Sequence, residues 1–241
     1  MTEAELKAIN KYALSPLTAD EVFTFKAVLC DNAIDRDHER FSLKTLQDLQ
    51  KLFQGKTVIK DHTWAADNQV ARIYSTELVQ LNKAAPGGEV YTQLVAHCYM
   101  VRTAGNADLI KEIQGGIKKE GSIGCAVKSS ICSICGVDNT KTYCAHWPGR
   151  TYEKDGHKQL CTYTLDGARD AYEFSLVAVP AQKAAGVSKS YTGKTVQEPL
   201  DAPETAKPGE TPSNTTDSEK AAELAVQAEL AAIRAKNTTT D

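Results

Sequence analysis

Alternation of apolar and polar positions sets in at Glu21. Val22, Thr24, Lys26, Val28 and Cys30 fall on one face of an extended segment, and Phe23, Phe25, Ala27 and Leu29 on the other. Both faces carry apolar or β-branched residues, which predicts a well-buried strand. The charged run Asp31 to Arg40 reads as a loop. Its acidic alternation lacks the glycine and the spacing of a calcium-binding loop. From Phe41 to Phe53 the period changes: Leu43, Leu46, Leu49, Leu52 and Phe53 recur at three- and four-residue steps. That spacing predicts an amphipathic helix with Ser42 as N-cap, closed by Gly55. Further strands are predicted over 56–60, 70–74, 76–81 and 90–101, with the Pro86-Gly87-Gly88 turn before the last. A second helix is predicted over 106–115, and strands around 160–164 and over 172–179. Residues 1–20 read as a short helical or irregular lead-in broken at Pro16.

After Val187 the pattern fades. Residues 188–241 contain one aromatic, Tyr191, and four of the chain's eight prolines lie between Pro199 and Pro212. Such composition predicts a disordered tail. Within it, 217–236 is rich in Ala, Glu, Leu and Lys, with Leu224, Ala228, Ala231 and Ile233 on a weak stripe, and reads as a tethered helix.

Composition adds bounds rather than a function. Hydrophobic residues make up 41% of the 241 and charged residues 24%, as in a soluble globular protein. The formal net charge of -3 gives no global nucleic-acid footprint. No apolar run approaches the roughly 20 residues of a membrane span. The segment MTEAELKAINKY has no basic stretch leading into an apolar core, so no signal peptide is expected. Seven cysteines, three of them clustered, favour a reducing compartment over a disulfide framework.

The chemistry concentrates between Lys119 and His146. Gly121-Ser122-Ile123-Gly124 presents a serine among small neighbours, and a serine needs a base to become a nucleophile. Among the five histidines, His62 is the best placed, at a predicted strand end beside Asp61. His97 falls inside an apolar strand and is expected to be packed in the core. Isolated Gly-Ser pairs are usually plain turn or strand residues, and the register is not that of the Gly-x-Ser-x-Gly elbow. Ten residues on, Cys132-x2-Cys135-Gly136 with Cys144 and His146 has the spacing of a closed, tetrahedral zinc site. Cys161 and His157 are alternative fourth ligands. This thiolate-rich set suits a structural Zn2+ rather than a catalytic one, which keeps a position open to water.

Glu173-Phe174-Ser175-Leu176-Val177-Ala178-Val179-Pro180-Ala181, followed by Ala184, resembles the last core strand of the tailed-phage prohead proteases. These are the capsid maturation serine proteases of the HK97 type. Asp35-Arg36-Asp37-x-Glu39-x-Phe41 resembles an early loop of that family, Asp61-His62 the segment carrying its histidine, and Ser122-Ile123-Gly124 the segment carrying its serine. Ala71, in Val70-Ala71-Arg72-Ile73, and Cys125 depart from the family pattern. The resemblance covers roughly residues 22–187, and some members share a Cys-rich insertion.

The resemblance implies an α+β, mainly β fold: an assemblin-like, partly closed β-barrel with packed helices. The protease domain would span 21–187, with a zinc-binding excursion at about 131–161. It implies a serine endopeptidase cleaving scaffold and capsid-protein segments, and conceivably itself, inside the immature shell in the host cytoplasm. Ser122 would be the nucleophile, His62 the general base, and Glu173 the third member, with Asp61 as the alternative. Capsid and scaffold protein are then the expected partners, the portal protein a further candidate, and self-association is left open. No membrane partner is expected, nor a nucleic acid. The competing expectation is a non-catalytic zinc-containing binding module of a phage assembly complex.

Overall fold

The computed structural model describes residues 1–188. The tail beyond, with the helix expected over 217–236, lies outside the described residues. Helix α1 (Glu3–Ile9) opens the chain behind a reciprocal capping box between Thr2 and Glu5. It is tied to the body, because Ile9 is fully buried against Val22, Tyr74 and Tyr99. Then come β1 (Val22–Asp31), β2 (Glu39–Phe41), α2 (Leu43–Leu52) and β3 (Thr57–Lys60). Ser42 caps α2 as expected, its hydroxyl accepting the Thr45 N–H. The hairpin β4 (Ala71–Ala84) and β5 (Val90–Val101) follows. Its first strand is one element where the pattern predicted two, since a register shift between Ile73 and Ser75 interrupts the alternation. Helix α3 (Ala107–Gln114) precedes β6 (Gly121–Cys132), β7 (Thr151–Lys154), β8 (His157–Leu160), β9 (Tyr163–Leu176) and β10 (Gly186–Ser188).

Eight strands form one sheet in the order β10-β1-β5-β4-β3-β9-β2, with β6 also on β9. β9 is the strand on which the rest converges. It pairs antiparallel with β6 along its whole length, from Tyr163 opposite Cys132 to Leu176 opposite Gly121. Its other edge takes two parallel partners, β2 at Tyr163 to Leu165 and β3 at Glu173 to Leu176. The separate strands expected near 160–164 and 172–179 are thus largely one 14-residue strand. Asp166, Gly167, Arg169 and Asp170 hid its middle by breaking the apolar pattern.

The mainly β class holds, but the expected partly closed barrel does not: the sheet is open. Among the described residues, its ends are bonded to each other only where β6 begins. There Glu120 bridges Gly186, Gly121 N–H donates to Ala185 O, and Val187 N–H donates to Lys119 O. Three residues of contact cannot supply the continuous ladder that closure requires.

One face of the sheet is covered by α2, and Leu46, Leu49, Phe53, Ile73 and Phe174 meet there, each fully buried. Burying each such side chain is worth about 1.5–3 kcal/mol. The Phe174 ring fills the space above Gly121, where a Cβ would lie 2.1 Å from its Cζ. Gly121→Ala should therefore destabilise the protein by about 1–3 kcal/mol in urea denaturation, as overpacked cores do. Gly105→Ala is the matching control. Its new methyl meets only Thr103 Oγ1 at 3.9 Å, so a shift below about 0.5 kcal/mol is expected.

Candidate functional site

Residues i and i+2 of a strand share a face, so Glu173 and Ser175 of β9 look the same way while Phe174 points into the core. Ser122 is the direct partner of Ser175 on β6, and Gly124 the partner of Glu173. Directly paired residues have Cα atoms about 4.5–5.5 Å apart and present their side chains to one face. Ser122 and Ser175 thus share one rung of the ladder, with their side chains on one face.

His62 arrives from the opposite edge. β3 ends at Lys60, opposite Leu176, and the next two residues turn in left-handed backbone, Asp61 at φ 54° and His62 at φ 52°. Neither is glycine, and each such conformation costs on the order of 1–3 kcal/mol. Two hydrogen bonds offset that cost: Asp61 N–H to Leu176 O at 3.0 Å and His62 N–H to Ser175 Oγ at 3.1 Å. The turn brings the His62 ring back over β9. Its Nδ1 lies 2.7 Å from Glu173 Oε1, and Ser175 Oγ donates to Glu173 Oε2 at 2.7 Å.

Three residues therefore close a ring of hydrogen bonds: His62 N–H to Ser175, Ser175 O–H to Glu173, and Glu173 back to the His62 imidazole. The Glu173 carboxylate is 3% exposed, while the His62 side chain is 43% exposed. An ionised carboxylate only accepts, so against it Nδ1 is the donor, and in the neutral ring Nε2 would then keep its lone pair. That is the tautomer a general base needs. Asp61, the alternative partner, is exposed.

Both glycines around Ser122 have steric reasons. Gly121 makes room for Phe174. At Gly124 a Cβ would lie 2.6 Å from Glu173 Oε1, so only glycine leaves space for the buried carboxylate. The Gly121 N–H is already bonded to Ala185 O, so it is not an available donor for an oxyanion. Just beyond, the register shifts from Gly124–Glu173 to Cys125–Ala171, leaving Tyr172 as the extra residue of a β-bulge. Tyr172 packs against Trp64, their rings 5.4 Å apart, beside His62 and Glu173 in sequence. Burial pushes the Cys125 thiol up to about 11.

Other singled-out residues fall into place around this face. His97 is not in the core: it sits on the sheet with Nε2 2.9 Å from Glu77 Oε1, since its position in β5 turns it away from the apolar layer. The charged loop docks onto the turn after β9. Arg36 N–H donates to Ala181 O at 3.0 Å and its guanidinium to Pro180 O. Ser175 is the member of this ring that sequence reasoning did not single out. Its i+2 spacing from Glu173 was the available signal.

At the far end of the β6–β9 ladder, ligand atoms of Cys132, Cys135, Cys144 and His146 all lie within 4.8 Å of one another. This group is close enough to hold a metal ion. Cys132, Cys144 and Cys161 form a small buried cluster with Ile134, Val137, Tyr152 and Tyr163 around it. Burial opposes ionisation of Cys132, but the N–H groups of Cys135 and Ile134 and the neighbouring thiols outweigh it and lower its pKa. Backbone N–H groups aimed at a thiolate suit a ligand sulfur. His146 Nδ1 is buried with no hydrogen-bond partner, free to meet an ion or a ligand thiolate. The donor set fits a metal. His157 is exposed on the β7–β8 hairpin, opposite Lys154.

No family model, curated protein or solved structure matches the chain.

The hydrogen-bond ring has a direct spectroscopic test. In proton NMR the His62 Nδ1–H should give a far-downfield signal, held by the Glu173 carboxylate. Glu173→Ala and Gly124→Ala should both abolish it, the second by displacing the carboxylate, while Ser122→Ala should leave it in place. A signal that survives Gly124→Ala would show that the glycine does not make room for Glu173.

Proposed function

We propose that the chain is a serine endopeptidase of the capsid-maturation type, with Ser122 as nucleophile, His62 as general base and Glu173 as the residue that orients it. The observation that carries this reading is the closed His62–Glu173–Ser175 ring, with Ser122 paired directly to Ser175 on the next strand. It offers a buried carboxylate that can orient the half-exposed His62 ring through Nδ1 and stabilise the imidazolium. The contact of the Arg36 loop with Pro180 and Ala181 adds support, because four motifs far apart in sequence then serve one region.

In the proposed reaction Ser122 Oγ attacks the carbonyl carbon of a peptide bond while His62 Nε2 takes its proton. The tetrahedral intermediate collapses, the C–N bond breaks, and His62 returns the proton to the leaving amine. Water then enters, gives a proton to His62, and forms a bond to the acyl carbon. Loss of Ser122 Oγ, which regains its proton, releases the second product. The substrates would be scaffold and capsid-protein segments within an immature phage shell. Zn2+ is the metal proposed for the cysteine cluster, held by Cys132, Cys135 and Cys144 with a fourth donor, His146 being within reach. Its chemistry there is cross-linking, as expected for a thiolate-rich closed site.

One observation favours the second reading, a non-catalytic binding module. Tyr143 and Trp147 form an exposed aromatic pair on the excursion, rings 6.4 Å apart, and exposed aromatics favour protein contacts. The two readings separate in one experiment. Co-expressed with its shell protein, the wild type should process that protein, and Ser122→Ala and His62→Ala should each reduce the rate by at least about 10³-fold. Processing that persists in Ser122→Ala would sink the serine assignment.

Purified under reducing conditions, the protein should hold about one zinc ion per chain. Chelation should lower its thermal midpoint, read by calorimetry. A chain with clearly substoichiometric zinc and a midpoint indifferent to chelator would remove the metal.

A further inference from the structure

Cys161 adjoins the group of Cys132, Cys135, Cys144 and His146, whose ligand atoms lie within 4.8 Å of one another. Cys161 Sγ lies 3.8 Å from Cys132 Sγ. Two sulfurs bound to one tetrahedral ion at about 2.3 Å are separated by roughly 3.8 Å, so the spacing is that of two thiolates on one metal. Cys161 is completely buried. Its backbone is pinned on both sides, its N–H donating to Arg150 O at 2.8 Å and its carbonyl accepting Gly149 N–H at 2.9 Å. The sulfur is held where it is rather than free to wander.

His146 is built differently. A histidine that ligates a metal almost always donates its other ring N–H to a carboxylate, a carbonyl or water, which fixes the ring. Neither ring nitrogen of His146 has a protein hydrogen-bond partner among the described residues. The ring is held instead by an edge contact with Tyr152, at 4.7 Å and 90°. What His146 contributes to the hydrogen-bond network is its carbonyl, which accepts from Tyr163 Oη at 2.5 Å.

We propose that Cys161 is the fourth ligand, completing a Cys132, Cys135, Cys144 and Cys161 tetrathiolate, with the His146 ring beside it as a hydrogen-bond donor to a ligand sulfur. The inference rests on the metal reading above and not on the protease reading. It changes what the ion joins. Cys132 is the last residue of β6, and Cys161 stands two residues before β9 begins. A Cys3His set ties the excursion to β6 alone. A set containing Cys161 ties β6 to β9, the two strands that carry Ser122 and Glu173, at the end opposite those residues. Adjacent bonds already draw the two together there, Ser133 N–H to Thr162 O and Thr162 N–H to Ser133 Oγ, both 2.9 Å.

X-ray absorption on the zinc-loaded full chain tests the shell directly and needs no variant. Four sulfur scatterers near 2.3 Å and no nitrogen are expected. Three sulfurs and one nitrogen overturn the proposal while leaving the metal reading intact, and a chain that binds no zinc overturns both. The variants give a second reading. Cys161→Ser should lower zinc retention against a competing chelator far more than His146→Ala, whose loss should be about 10–100-fold. Chelation should also speed amide hydrogen exchange in β9 from Tyr163 onward, as in β6. The reverse order of the variants, or exchange that rises in β6 while β9 stays protected, would assign the fourth position to His146.

Discussion

A carboxylate buried to 3% exposure must be fully hydrogen-bonded or it destabilises the fold. Glu173 meets that requirement with one bond from the His62 ring and one from Ser175, and the need reaches outward through the structure. Gly124 must lack a side chain, or the carboxylate loses its place. Asp61 and His62 must hold a left-handed turn, or the ring cannot come back over β9. Ser175 must face the same way as Glu173, which fixes the pleat of β9 and, through the ladder, the orientation of Ser122. The strained turn is stable because it is bonded at both residues to the strand it overhangs.

The fold was legible in the sequence where one period ran uninterrupted. β1, α2 and β5 could be read within a residue or two, because their apolar faces repeat without a break. β9 could not. Its middle carries Asp166, Gly167, Arg169 and Asp170, and a strand paired on both edges can hold such residues where its face is open to solvent. β6 was hidden for another reason. Gly121, Ser122, Gly124, Ser129 and Ser130 have weak strand propensity, and only the β9 ladder makes them extended. Barrel closure was an expectation from resemblance, and local pattern carries little information on it, since it depends on how far the two ends of a sheet approach.

The site divides along the same line. Residue identity and chain order pointed to Ser122, His62 and Glu173, and the structure brings His62 and Glu173 into contact and sets Ser122 on the next strand. The choice of Glu173 over Asp61 could not be read from the sequence, where Asp61 is the nearer neighbour. Adjacent residues diverge, and the long-range parallel pairing of β3 with β9 decides the matter. The role of Gly124 was also invisible, because it is a matter of empty volume rather than of any group present. The cysteines were legible as a cluster from spacing alone, but five sulfur and nitrogen donors within a short span leave the ligand set to be decided by three-dimensional placement.

The alternation of β6 and β9 over Gly121 to Gly124 also acts as a check on assembly. Ser122 and Glu173 reach the same face only when the two strands pair in one register, bulge included. A slip of a single residue turns one of them to the far side of the sheet. A misregistered chain cannot assemble the His62, Glu173 and Ser175 ring beside Ser122. The pleat of the strand thus serves as a proofreading device for the site.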